Sequence, residues 1–245
     1  MIWRVTFHHM MEASIQHEDN SMVIGKTLKQ IILGWLLLSA GLQGHTGEQE
    51  LCAPFLHGKV DASRVESMRA AAKGGHLYRI QPDTSRVGFC VDSQFAVVKA
   101  EFKDFQGGLT LWPDHPGGKE QAMVLVQTAS LDTGGSMIEY LLKGERFFDV
   151  QNYPEILFVS TDFSWTSETT GTLKGNLTLH GVTRPVTFNV TLLPVMDKDE
   201  KNAGKVLVKA GTTIRRSDFG MDTLSRVVND KVELCMSVEA VRYQG

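Results

Sequence analysis

The chain has 245 residues, of which 42% are hydrophobic and 22% charged, with 25 Lys and Arg against 28 Asp and Glu for a formal net charge of −3. These proportions suit an ordinary globular protein and exclude a disordered chain, a collagen-like repeat and a polytopic membrane protein. The slightly acidic balance also argues against a nucleic-acid-binding face built on excess positive charge.

The first 44 residues read as an upstream extension followed by a secretory signal. Lys26 and Lys29 precede the apolar run Ile31 to Leu42, and the small residues Ser39, Ala40, Gly41 and Gly44 follow. The run is shorter than the roughly 20 residues that a bilayer core requires. A cleaved signal is therefore expected ahead of an uncleaved membrane anchor. Residues before Met22, among them His8, His9, Glu12, His17, Glu18 and Asp19, do not suit a signal, so Met22 is the expected start. Cys52 lies too far on for a lipoprotein attachment site. Export implies an oxidising compartment.

Residues 45–75 form a linker or short helix. Val60 to Lys73 carries helix formers and stops at Gly74-Gly75, a C-cap pattern. From residue 76 the period changes to two, which marks strands with one buried and one wet face. Val87, Phe89 and Val91 alternate with Arg86, Gly88, Cys90 and Asp92. Further strand runs are Val97–Phe105, Gly108–Trp112, Ala122–Thr128, Ile156–Trp165, Leu173–Leu179, Val186–Leu192, Val206–Ile214 and Val232–Ala240. Turn signals at Gly107-Gly108, Pro116-Gly117-Gly118, Gly171, Gly181 and residues 197–204 separate them. A helix interrupts the series once. Ser136 to Glu139 reads as a capping box, and Ile138, Leu141 and Leu142 share one apolar face. The domain, residues 76–245, is thus expected to be all-β, an antiparallel barrel of about eight strands with one inserted helix.

Hydrolase motifs of the G-x-S-x-G, H-E-x-x-H and S-x-x-K types are missing. His45, His57, His76, His115 and His180 are scattered, with no metal-ligand spacing, so no metal, cofactor or catalytic residue is assigned and the chain is not read as an enzyme. His180, at a strand end before Gly181, reads as a turn histidine. Arg215, Arg216 and Asp218 form a polar cluster with two readings: Arg216 and Asp218 hold a ligand head group, or they make a structural corner. Phe147, Phe148 and Tyr153-Pro154 seal a barrel end or frame a ligand mouth. Asn176 and Asn189 stand in glycosylation sequons and face outward.

Cys90 and Cys235 fall on the polar register of the first and last barrel strands. Those strands pair in a closed barrel. Two readings stand for the cysteines: a disulfide stapling the seam, or unpaired thiols at different heights.

Five motifs in order resemble the YceI-like family over residues 76–243. They are Tyr78-Arg-Ile-Gln-Pro-Asp83 with Ser85-x-Val87-x-Phe89, then Phe102-x-x-Phe105-x-Gly107. Ala129 to Thr133 follows with Phe147-Phe-Asp-Val-x-x-Tyr-Pro-Glu-Ile-x-Phe158. Last come Gly175-x-Leu177-Thr-Leu-His-Gly-Val-Thr-x-Pro185 and Arg216-x-Asp-Phe-Gly220. The resemblance implies a lipocalin-like barrel exported to the bacterial periplasm. It implies a polyisoprenoid, isoprenoid quinone or fatty-acyl lipid in the interior, with a membrane cytochrome b as a partner of some members and a homodimer as a candidate assembly. Many members carry His where this chain has Asp92.

A prenyl or acyl tail has no hydrogen-bonding groups and requires an apolar slot. The expected lining is Phe89, Val91, Phe102, Val124, Val126, Phe158, Leu177, Leu179, Val186, Phe188, Val190, Val232, Leu234 and Met236, with Ile138, Leu141 and Leu142 as a lid at one mouth. The function so read is a periplasmic binding or carrier protein for a long-chain apolar lipid. The alternative is a non-catalytic interaction module whose filled barrel docks on a membrane protein, since any barrel buries one face.

Overall fold

The computed structural model describes residue 55 and residues 60–112, 120–194 and 204–244. The expected signal segment, Cys52, His45, His57, His115 and the turns at 116–118 and 197–203 lie outside the described residues.

The helix α1 (Ala62–Lys73) opens with Asp61 as N-cap, whose carboxylate accepts from the Ser63 amide at 2.8 Å. It ends at Gly74, and Gly75 follows at φ 71°. The helix buries Val65, Met68, Ala71 and Ala72, and its apolar side packs with Leu77, Met123, Leu125 and Leu157. The segment read as a linker or short helix is thus, over 62–73, a helix packed on the barrel. Burial of Val65 or Met68 contributes about 1.5–3 kcal/mol each.

Eleven strands follow among the described residues. They are β1 (Leu77–Ile80), β2 (Arg86–Ser93), β3 (Val97–Phe102), β4 (Phe105–Thr110), β5 (Ala122–Gln127) and β6 (Leu131–Asp132), then β7 (Glu155–Trp165), β8 (Thr170–Leu179), β9 (Val182–Pro194), β10 (Lys205–Arg215) and β11 (Val228–Arg242). All pairings are antiparallel. β11 pairs with β10 on one edge, and on the other with β2 and then β1. β2 pairs with β3, β1 with β4, β4 with β5 and β3 with β6. The short strands therefore join end to end as β1/β2, β3/β4 and β5/β6. With β7 to β11 they make a closed barrel of eight staves.

The run read as one strand, Val97–Phe105, is a correction. It breaks at Lys103-Asp104, and Phe105 begins β4. Neighbouring staves break at the same level. The first breaks at the short helix Pro82–Thr84, where proline supplies no ladder donor. The third breaks at Thr128–Ser130, whose Ser130 carbonyl accepts from the Lys103 amide at 3.1 Å. At Lys103-Asp104 the alternation slips by one residue, since Phe102 and Phe105 are both buried and three apart.

On β7 a bulge between Ser160 and Asp162 changes the pairing register with β8. The carbonyl of Ser160 accepts from Arg64 Nη1 of α1 at 2.7 Å, and its hydroxyl accepts from the Ala122 amide at 2.9 Å. The bulge thus ties the outer helix to the wall. The β8–β9 turn is the pair His180 (φ 51°) and Gly181 (φ 72°), the left-handed pair that suits a two-residue hairpin. A Cβ on Gly181 would lie 2.6 Å from the Tyr153 ring, so a second reason excludes a side chain there.

Candidate functional site

The inward registers of the staves enclose a cavity of about 410 Å³. This falls within the roughly 300–1,000 Å³ of small-molecule sites. Ser93 and Arg216 are the polar residues that line it, and the remaining lining residues are apolar or glycine. Of the seventeen residues expected inside, fifteen line this cavity: Phe89, Val91, Phe102, Val124, Val126, Ile138, Leu141, Leu142, Phe158, Leu177, Leu179, Phe188, Val232, Leu234 and Met236.

Val186 and Val190 are corrections. Val186 pairs with Gly175, over which the Phe158 ring lies, and does not reach the cavity. Val190 is alike. It is buried but does not reach the cavity. It pairs with Gly171, and the Phe163 ring lies where a side chain on Gly171 would be, closing that part of the interior.

One mouth is framed by three elements. These are the β2–β3 turn, the helix α2 (Ser136–Lys143) and the loop 221–227. The turn and the loop are joined, since the Gln94 amide donates to the Val227 carbonyl at 2.9 Å. Phe95, Ile138, Leu141 and Leu224 line the cavity and are also exposed, Phe95 by 86%. Met137 and Tyr140 add two more outward apolar side chains on α2. Of the eight large hydrophobic side chains that stand exposed among the described residues, only Leu193 lies away from these elements and their immediate flank at Val97.

The capping box expected at the start of α2 is a second correction. Gly135 is the N-cap, and no side chain caps the helix. Ser136 is the first helical residue, while Glu139 bonds to Lys143 Nζ at 2.7 Å. An i, i+4 pair competed for the glutamate that a capping box requires. Behind α2, Phe147 and Phe148 are buried and line the cavity. The Phe148 ring packs on Phe89 at 5.6 Å and edge-on to Phe102 at 5.7 Å between centroids.

The structure separates Arg216 from Asp218. A short helix spans Arg216–Phe219, and with three residues per turn the first and last share a side. Arg216 and Phe219 point inward and are 4% and 1% exposed. Asp218 points outward, is exposed, and lines a separate surface groove with Arg184, whose Nε donates to the Asp218 carbonyl at 3.1 Å. Of the two head-group candidates, only Arg216 lines the cavity, and the joint Arg216–Asp218 head-group reading is corrected. Arg216 donates from Nε to the Asn229 carbonyl (3.0 Å), from Nη1 to the carbonyls of Met221 and Thr223 (2.8 Å for Thr223), and from Nη2 to the Val228 carbonyl (3.1 Å). These bonds to backbone carbonyls offset the cost of burying a charge in an apolar cavity.

His180 is a turn residue whose Nδ1 lies 3.2 Å from the Phe219 carbonyl and whose ring packs at 4.3 Å on Tyr153. No group of three His, Cys, Asp or Glu side chains converges on a metal-sized point among the described residues. Asn176 and Asn189 are exposed on the outer face.

Cys90 and Cys235 stand on β2 and β11, the strands that close the barrel, and both are unbonded. Sequence reasoning missed part of the lining: Ile80, Val98, Leu173, Val208, Ile214 and Val238 also reach the cavity. Alternation marks Val208, Ile214 and Val238 as inward. The reach of Ile80 depends on how the first stave is broken, and no local pattern carries that.

A YceI-like domain model matches residues 78–240. A UPF0312 protein of Pseudomonas putida (strain W619) is 31% identical over 220 residues, spanning 90% of this chain and 99% of that protein. A UPF0312 protein of Serratia proteamaculans (strain 568) is 35% identical over 141 residues, 58% of this chain and 72% of that one. Among solved structures, Burkholderia cenocepacia BcnA aligns with a TM-score of 0.60 at 22% identity, covering 66% of this chain and 99% of that one. The Campylobacter jejuni YceI protein aligns with a TM-score of 0.54 at 24% identity, over 60% and 86% of the two chains. At these identities the two structures bear on the fold.

Proposed function

This chain belongs to the YceI-like family, and from that premise we propose that it is an exported, periplasmic binding or carrier protein for a long-chain apolar lipid of the polyisoprenoid or isoprenoid-quinone type. The observation that carries the reading is the closed barrel with an interior cavity of about 410 Å³ whose lining includes only two polar residues, Ser93 and Arg216. Such a lining offers no network for a polar substrate. For a hydrocarbon tail, each buried methylene contributes about 0.8 kcal/mol. A tail buried in this slot thus gains its binding free energy without any hydrogen bond.

The mouth framed by Phe95, Ile138, Leu141 and Leu224 is the route by which the tail passes, because these side chains belong to both the cavity and the surface. One N–H of the Arg216 fork beyond its four carbonyl partners is the polar group nearest to hand for a carbonyl or phosphate head group. The filled-barrel alternative requires a packed interior, and a cavity of this size speaks against it.

The test is to express the full chain, purify it from the periplasm, extract it with organic solvent and identify the extract by mass spectrometry. A stoichiometric prenyl or acyl lipid supports the proposal. An empty extract, repeated after incubation with quinones and polyprenols, overturns it. Recovery of the protein only from the cytoplasm with its signal uncut overturns the periplasmic part.

A further inference from the structure

We propose that Cys90 and Cys235 form a reversible disulfide across the seam where the barrel closes, made and opened by thiol–disulfide exchange with a dithiol or disulfide partner. The proposal stands apart from the lipid reading.

The seam lies between β2 and β11. Across it Cys235 faces Gly88, and Cys90 faces Glu233. The two cysteines are thus diagonal neighbours, one step apart on the same face. That face is the outer one, because Phe89, Val91, Leu234 and Met236 between and beside them line the cavity. Diagonal pairs stand about 7–8 Å apart across antiparallel strands, so closing the bond draws β2 and β11 slightly together at this point. The position opposite Cys235 is kept clear: a Cβ on Gly88 would lie 2.4 Å from the Ala100 carbonyl, so no side chain intrudes there. The Cys90 thiol is near enough to act on the Cys235 thiol, and both line one outer groove. Among the described residues these are the two cysteines, and they meet at the junction of the first and last staves.

Exposure decides the order of events. Cys235 is exposed and Cys90 half-buried. Cys235 therefore meets the oxidised partner first. Its sulfur attacks one sulfur of the partner disulfide, forming a mixed disulfide and releasing one partner thiol, which carries away a proton. The Cys90 sulfur then attacks Cys235, forming the internal bond and releasing the second partner thiol with the second proton. The protein dithiol is oxidised by two electrons and the partner disulfide is reduced by two. In the reverse direction a partner dithiol opens the bond.

The surroundings set the pace. Burial pushes the Cys235 thiol up, followed by the neighbouring Cys90 thiol and the carboxylates of Glu233 and Glu101. Arg86, Lys99, Lys103 and Lys209 also face the groove, as does Asp132. Glu101 is itself held by Lys103 (2.9 Å) and Arg86 (3.4 Å), which spends part of that positive charge. Cys235 thus rests as a thiol, and exchange through it runs faster as pH rises.

The test uses the full chain and oxidised glutathione, followed by denaturation, alkylation and tryptic digestion. Cleavage after Arg86, Lys99, Lys231 and Arg242 places Cys90 in the peptide Val87–Lys99 and Cys235 in Val232–Arg242. The expected result is that the three thiols of the chain fall to one and these two peptides appear linked, with dithiothreitol restoring all three. A Cys52→Ser variant behaves the same way, falling from two thiols to none. Three thiols surviving, glutathione retained on Cys235 without transfer to Cys90, or Cys52 linked to either cysteine would each overturn the proposal.

Discussion

The Arg216 guanidinium reaches from the barrel interior to the Thr223 carbonyl at 2.8 Å, so a buried charge holds the loop whose next residue, Leu224, frames the cavity mouth. The same side chain bonds the carbonyls of Met221, Val228 and Asn229. One residue thus links the short helix Arg216–Phe219 to the start of β11 and shapes the opening.

Arg216→Leu leaves these four carbonyls without their donor. At about 1 kcal/mol for each bond, the barrel is expected to lose about 3–4 kcal/mol. For a chain of this size that lowers Tm by roughly 10 °C. Thermal unfolding followed by circular dichroism checks it. Arg216→Lys is expected to recover less than half of the loss, because one ammonium does not span carbonyls on two sides of a planar fork. An unchanged Tm in the leucine variant would show that the loop is held by other contacts.

Ala210→Phe projects a ring into the cavity from the middle of β10. It is expected to lower lipid occupancy at least tenfold while Tm stays level or rises, since apolar volume is added where space exists. The measurement is lipid per protein in solvent extracts of the variant and the parent. Equal occupancy at equal stability would place the lipid elsewhere.

At the mouth, Phe95→Ser combined with Leu141→Ser removes apolar surface from two of the three framing elements. Both positions are exposed, so stability is expected to move by less than about 0.5 kcal/mol per site. Uptake of a fluorescent polyprenol analogue is expected to slow severalfold, with the final amount bound unchanged. Stopped-flow mixing separates the two quantities, and a change in the end point with no change in rate contradicts the assigned route.

Asp230 gives the acid response. The Ser217 amide donates to its carboxylate at 2.9 Å and the Ser217 hydroxyl donates to its other oxygen at 2.9 Å. These bonds, the amide first, with Arg216 and Arg215 nearby, hold its carboxyl below the ordinary value of 3.8. A carboxylate whose folded pKa is depressed contributes stability above its unfolded pKa and loses it as pH falls through the folded one. Asp230→Asn is therefore expected to be less stable than the parent at pH 7, with the gap closing below about pH 4. Urea unfolding at pH 7, 5 and 3 reads this directly, and a gap independent of pH would remove the charge from the explanation.

The inward register was legible in the sequence because a strand repeats every two residues, and a closed barrel has one dry side. That is why Phe89, Val91, Leu177, Leu179, Leu234 and Met236 are assigned to the interior before any fold is known. The order of five motifs likewise carried the family. The broken staves went unread although Phe102 and Phe105, three apart and both buried, violate period two: a run of strand-forming residues on either side of Lys103-Asp104 reads as one strand when its phase is not followed through. The separation of Asp218 from Arg216 was not legible either: a short helix with three residues per turn rotates Asp218 outward while keeping Arg216 and Phe219 inside.

Local chemistry thus determined by itself which side chains avoid water and where strands and turns alternate, because solvation and backbone geometry act over a few residues. Tertiary structure alone decided the rest. It set the offset between β2 and β11 that brings Cys90 beside Cys235, the reach of Arg216 to four carbonyls, and the gathering of Phe95, Leu141 and Leu224 at one mouth. Each of these joins residues far apart in the chain, and their distance is fixed only when the first and last staves meet and the barrel closes.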